Sequence, residues 1–141
     1  MSNQVPTWEI HQALARLAHL ADGGGIEEYL DLYTADAVWE VTGIPQTATM
    51  ATRRVGRADI RDGVVSRRDT GGQGPGSATQ HVVHTIEVHP GPDGTATSHA
   101  NYAFYGKTTT APVLLAMGQY HDTWKLDGGG WKLAHRRIVS G

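Results

Sequence analysis

The chain has 141 residues, a formal net charge of −2 from 12 Lys+Arg against 14 Asp+Glu, and no cysteine. A length just under about 150 residues predicts one domain with one core, and the missing cysteines exclude a disulfide scaffold, a thiolate metal site and a cysteine nucleophile together. Balanced charge leaves no electrostatic footprint for nucleic acid or an anionic bilayer, no apolar run reaches the about 18 residues of a membrane span, and a polar, proline-bearing start from Met1 to Trp8 is unlike a secretory signal, so a soluble cytoplasmic protein is expected.

Glycine, at 18 positions, is about double its usual ~7% share and punctuates the elements. Thr7 reads as an N-cap, and Ile10, Leu14, Leu17, Ala18 and Ala21 recur on one helical face that glycines 23–25 terminate. Ile26, Leu30 and Tyr33 mark one side of a second, short helix. Residues 36–44 (DAVWEVTGI), β-branched and aromatic, predict a strand. Helical spacing returns over 57–68 through Ile60 and Val64, and 69–77 is a glycine-rich loop. Residues 79–89 alternate around Val82, Ile86 and Val88, PGPDG at 90–94 is a hairpin turn, and 95–109 is the returning strand. Residues 113–126 and 131–139 form another pair joined by DGGG. Helices followed by a four-strand meander predict an α+β class: a curved, mostly antiparallel sheet with the N-terminal helices packed on one face, in a single domain spanning 1–141 without repeat or linker.

Asp22 closes the first helix just before the glycines, on the buried edge of the apolar stripe. An acid there opposes the helix dipole, so it is either a helix-end carboxylate facing water or one held for another purpose. His81 stands in Thr79-Gln80-His81-Val82-Val83. Alternation puts His81 and Val83 on one face and Val82, His84, Ile86 and Val88 on the other, so His81 and His84 cannot be joint ligands on a regular strand. Alone, His81 is a half-buried, satisfied histidine; with a carboxylate fixing one ring nitrogen, the other becomes a base. On the third long strand Tyr120 and Asp122, on the face of Trp124, are expected to pack on or pair with the last strand. Arg136 and Arg137 point to opposite faces, with an edge-strand ion pair as the default.

The order of these features resembles a family. A helix ending in Asp22, then Tyr33-Thr34-Ala35-Asp36-Ala37-Val38-Trp39-Glu40, the helix entry Val55-Gly56-Arg57-Ala58-Asp59-Ile60, Thr79-Gln80-His81, and the closing Gly118-Gln119-Tyr120-His121-Asp122 and Gly130-Trp131-Lys132-Leu133 resemble the SnoaL-like branch of the nuclear transport factor 2-like superfamily over roughly residues 8–139. Within it the pattern is most similar to scytalone dehydratase, hexachlorocyclohexane dehydrochlorinase and the bile acid 7α-dehydratases. The resemblance implies a cone-shaped α+β barrel, its helices on the concave face of the sheet, with an Asp-His pair inside a hydrophobic pocket. Asp22 and His81 match that pair, and Trp39 matches a pocket tryptophan. The chain departs from the pattern where scytalone dehydratase has two tyrosines, here Ala21 and Val41, and where the dehydrochlorinase has a lysine, here near Leu17.

The resemblance thus implies a lyase or isomerase of the dehydratase kind, acting without metal or cofactor on a small apolar, cyclic molecule, with His81 taking a proton from carbon and Asp22 orienting it. On the second long strand His99, Asn101, Ala103 and Tyr105 share a face less apolar than a buried one should be. His99, Asn101 and Tyr105 are therefore expected to line the pocket beside Trp39, the alternative being a surface face. A metal set of His81, His99 and Asp22 is not expected, because no histidine pair shows His-x-x-x-His spacing. Two other classes compete: a non-catalytic ligand-binding or assembly protein of the same fold, and a polyketide cyclase or epoxide hydrolase in which Asp122 serves as the acid. Residues 45–52 and 69–77 are expected to shape the pocket, and exposed apolar residues on the long strands to be covered in a homodimer or homotrimer.

Overall fold

The computed structural model describes residues 7–44 and 51–141; the first six residues and the stretch 45–50, expected at the pocket rim, lie outside the described residues. In chain order the elements are α1 (Thr7–Gly23), α2 (Ile26–Leu30), β1 (Tyr33–Thr42), β2 (Arg53–Val55), α3 (Arg57–Asp69), β3 (Gln80–Pro90), β4 (Thr95–Gly106), β5 (Val113–Asp127) and β6 (Gly130–Ser140). The six strands make one sheet in the order β2-β1-β6-β5-β4-β3, antiparallel except where β1 runs parallel to β6. This is the expected α+β arrangement, helices on the concave face. It is not a closed barrel, since β2 and β3 remain as edges. Because β1 pairs beside β6, the last strand is interior, which removes the basis for an edge-strand ion pair at Arg136 and Arg137. Three-residue β2 is too short to show any period of its own.

The predicted stripe of α1 forms the centre of the core. Ile10, Leu14 and Leu17 are each no more than 1% exposed, and they cluster with the fully buried Tyr33, Trp124 and Leu133. Each such aliphatic side chain contributes about 1.5–3 kcal/mol by leaving water. Trp124 keeps its polar edge satisfied by donating from Nε1 to Ser98 Oγ at 2.8 Å. Arg68, in the last turn of α3, donates from Nη2 to the Leu20 carbonyl at 2.9 Å. That bond joins the end of α3 to the end of α1, at a carbonyl that also accepts the Gly24 N–H at 3.0 Å.

A bulge in β3 changes the sidedness read from its alternation. The register with β4 slips between His84 and Glu87, and Thr85 takes φ +56. The extra residue restarts the period. Ile86 and Val88 pack against the core, on the same inner face as His81 and Val83 rather than opposite them.

Gly118 marks a close approach between β5 and its neighbours. A Cβ there would run into the Val139 carbonyl oxygen and come within 2.9 Å of the Tyr102 ring. Gly118→Ala is expected to cost about 1–3 kcal/mol, as overpacking in a full interior does, read as a lower midpoint in urea unfolding with an unchanged slope.

Candidate active site

Between α1, the end of α3 and the inner face of the sheet lies a cavity of ≈ 380 Å³. Its walls are largely apolar, with Leu14, Leu17 and Ala21 from α1, Val83 and Phe104 from β3 and β4, and Ile138 from β6. Few polar groups reach it, as in small-molecule sites generally.

One of these groups, His81, is backed by a carboxylate. Asp22, in the last turn of α1, places Oδ1 2.6 Å from Nδ1 of His81 near the start of β3. The same carboxylate accepts the His81 backbone N–H, at 2.9 Å to Oδ2 and 3.2 Å to Oδ1. Both side chains are largely buried, at 15% and 18% exposure for His81 and Asp22, so water competes weakly for these bonds. A carboxylate that is ionised only accepts, and against one the ring must carry its proton on Nδ1. The His81 ring packs on Phe104 with centroids 4.5 Å apart, and Nε2, on the ring edge away from Asp22, has no hydrogen-bond partner among the described residues.

The floor is a buried ion pair under a stack of tyrosines. Arg136 on β6 donates from Nε and Nη2 to Asp122 on β5, at 3.0 and 2.9 Å, across directly paired strand positions. Its guanidinium lies 3.8 Å from the Tyr120 ring centroid, and Tyr120 stacks on Tyr102 with centroids 4.6 Å apart. Burial disfavours the charged guanidinium, but the Asp122 carboxylate outweighs it and raises the Arg136 pKa. Burial also raises both phenols above the ordinary tyrosine value, so Tyr102 and Tyr120 face the cavity as neutral O–H groups.

A family profile described as a SnoaL-like domain matches residues 7–137. The chain belongs to the SnoaL-like family, in the nuclear transport factor 2-like superfamily. Solved structures similar to this SnoaL-like chain include an NTF2-like protein with a cystatin-like fold from Novosphingobium aromaticivorans (21% identity, 95% of this chain and 80% of that one, TM-score 0.76). Others are ActVI-ORFA from Streptomyces coelicolor (15%, 95% and 96%, 0.76) and a protein from Catenulispora acidiphila in complex with S-DNPA (18%, 95% and 92%, 0.76). At these identities the likeness shows the shared fold. No curated protein matches the chain in sequence.

Of the residues singled out from sequence, His81 and Trp39 line the SnoaL-like cavity, and Asp22 stands behind His81, bonded to its ring. It does not bring in His99, Asn101 or Tyr105, none of which lines the cavity. The inner face of β4 is the other one. Ala96, Ser98 and Ala100 are buried, and Tyr102 and Phe104 continue that register into the cavity. Polarity misled because an inner face here need only be small where it packs and aromatic where the cavity opens. On the outer face His99 stacks on His121 at 4.4 Å, and each Nε2 lies 3.0 Å from Gln119 Oε1. Burial, with the neighbouring His99 and Arg137, lowers the His121 pKa.

Ala21, Val41 and Leu17 all line the cavity, so it is apolar where the resembling enzymes carry tyrosines and a lysine. His84 is exposed and bonds Thr85. Among the described residues no group of three or more His, Asp or Glu is arranged to hold a metal ion. Sequence reasoning passed over Tyr102 and Arg67. Gln73 comes from the 69–77 segment expected to shape the pocket, and the expected pairing of Asp122 with the last strand is made with Arg136.

Proposed function

We propose that this SnoaL-like protein is a cofactor-independent lyase or isomerase for a small, mostly apolar cyclic molecule, with His81 as general base and Asp22 as the group that orients it. The observation that carries this reading is the 2.6 Å Asp22–His81 bond beside an apolar cavity, which leaves Nε2 free. Nε2 takes a proton from carbon next to an activating carbonyl, and the C–H electron pair forms the enolate. In elimination that pair then becomes the C=C bond as the β hydroxyl leaves, carrying the proton back from His81 as water. In isomerisation His81 returns the proton to the far end of the conjugated system instead. Asp22 stabilises the imidazolium in between, and the neutral phenol of Tyr102 supplies a donor for the enolate oxygen.

Asp122 is a poor acid for cyclase or hydrolase chemistry, because its side chain is fully buried and both oxygens are engaged by Arg136. No second carboxylate contacts Arg136 among the described residues. The protein works in the cytoplasm as a homodimer or homotrimer in this reading, supported by the exposed Val113, Leu114, Leu115 and Met117 along β5. Light scattering on the purified protein is expected to give two or three times the chain mass; a monomer at micromolar concentration contradicts it.

The function is tested with cyclic β-hydroxy ketones and β,γ-unsaturated ketones in deuterated buffer, followed by mass spectrometry. Protein-dependent loss of water or uptake of deuterium at the α-carbon is expected, absent in His81→Gln. Ligands that bind without either change would make the cavity a binding site only.

A further inference from the structure

The cations around the cavity are not equally committed. Arg136 is bound to Asp122, and His81 to Asp22. Along α3 and the strand before it, Arg54 pairs with Asp59, Arg61 with Glu27, Arg57 donates to the Tyr33 carbonyl and Arg68 to the Leu20 carbonyl. Arg67 lines the cavity and has no carboxylate partner among the described residues. It is nevertheless held in place. Nε donates to Gln73 Oε1 at 3.0 Å, and the guanidinium carbon sits 5.1 Å from the Trp39 ring centroid. Gly63, one turn back on α3, leaves room first for Arg54, whose Nε a Cβ there would meet at 2.6 Å, and then for Arg67, whose Nη1 it would approach to 3.1 Å.

We propose that Arg67 is a specificity-determining residue that binds a carboxylate borne by the substrate's ring. This rests on the base-catalysed reading above and deepens it by naming the substrate class, a compact cyclic acid. A guanidinium fixed through Nε keeps its two Nη groups as a planar fork, the geometry that matches two oxygens of one anion. Stacking on Trp39 in a largely apolar enclosure removes part of its water, which strengthens its attraction for an entering charge. Trp39 stands on β1 and His81 on β3, with β6, β5 and β4 between them in the sheet. Arg67, Trp39 and His81 nevertheless line the same cavity, so a substrate anchored at Arg67 shares its enclosure with the base.

The test compares 2-naphthoate with its neutral isostere 2-naphthamide by calorimetry at pH 8, in the wild type, Arg67→Met, Arg67→Lys and His81→Gln. The wild type is expected to prefer naphthoate by at least about tenfold. Arg67→Met should abolish that preference and leave the amide affinity unchanged, as a purely packing role for Arg67 would not, and Arg67→Lys should restore it in part. His81→Gln should keep the preference while losing proton abstraction, so failure of the base and failure of the anion site are separable. No preference in the wild type, a preference that survives Arg67→Met, or one that disappears in His81→Gln would overturn the assignment.

Discussion

Replacing His81 with glutamine is expected to slow proton abstraction from carbon by about 10²–10⁴-fold, the range that a positioned general base contributes. The fold should remain, because the His81 backbone N–H still reaches Asp22 when the ring is gone. Asp22→Asn should be comparably slow for a different reason. An amide can present its NH₂ group to Nδ1, which leaves the ring proton on Nε2 and occupies the lone pair that would accept the substrate proton. It also weakens the bond to the β3 backbone, so a loss of about 0.5–1.5 kcal/mol in stability accompanies it. Rates of water loss or deuterium uptake, with a melting curve for each variant, separate the two effects. Rates within about threefold of wild type in both variants would remove His81 from the chemistry.

The largest expected change in stability is at Asp122. Its side chain is fully buried and that of Arg136 is 6% exposed, so Asp122→Ala strands a guanidinium that cannot lose its proton. Breaking such a pair from one side costs about 3–5 kcal/mol, a large part of the whole stability of an ordinary domain. Removing both charges together, as Asp122→Leu with Arg136→Met, should recover most of that loss because the site is already enclosed by Tyr120 and its neighbours. Urea unfolding of the three proteins gives the comparison. A loss below about 1 kcal/mol for Asp122→Ala would mean that the pair behaves like one at the surface.

What the sequence showed and what it hid divide along the range of the interactions. The stripe of α1, its stop at the glycines and the hairpins of β3–β4 and β5–β6 depend on neighbours a few residues apart, and all are legible. The parallel pairing of β1 with β6 joins segments at opposite ends of the chain, and without it β6 looks like an edge. The bulge at Thr85 was invisible because threonine does not announce a positive φ as glycine does, and one such residue was enough to move Ile86 and Val88 to the inner face. The same uncertainty of side inverted β4, where His99 and Asn101 looked functional and Tyr102 and Phe104 line the cavity. Asp22 and His81 lie 59 positions apart, and no local periodicity joins them. Their order within a family pattern suggested the pairing, and the distance between them is a property of the folded chain alone.

In the proposed reaction Asp22 holds His81 with its proton on Nδ1, leaving Nε2 bare beside the cavity. Nitrogen-15 NMR of the histidine rings, with His81 assigned by its loss in His81→Gln, reads this without knowledge of the substrate. A protonated Nδ1 and an unprotonated Nε2 in the wild type, reversed or averaged in Asp22→Asn, is the predicted result. A wild-type His81 carrying its proton on Nε2, or averaging between the two forms as a free imidazole does, would contradict it.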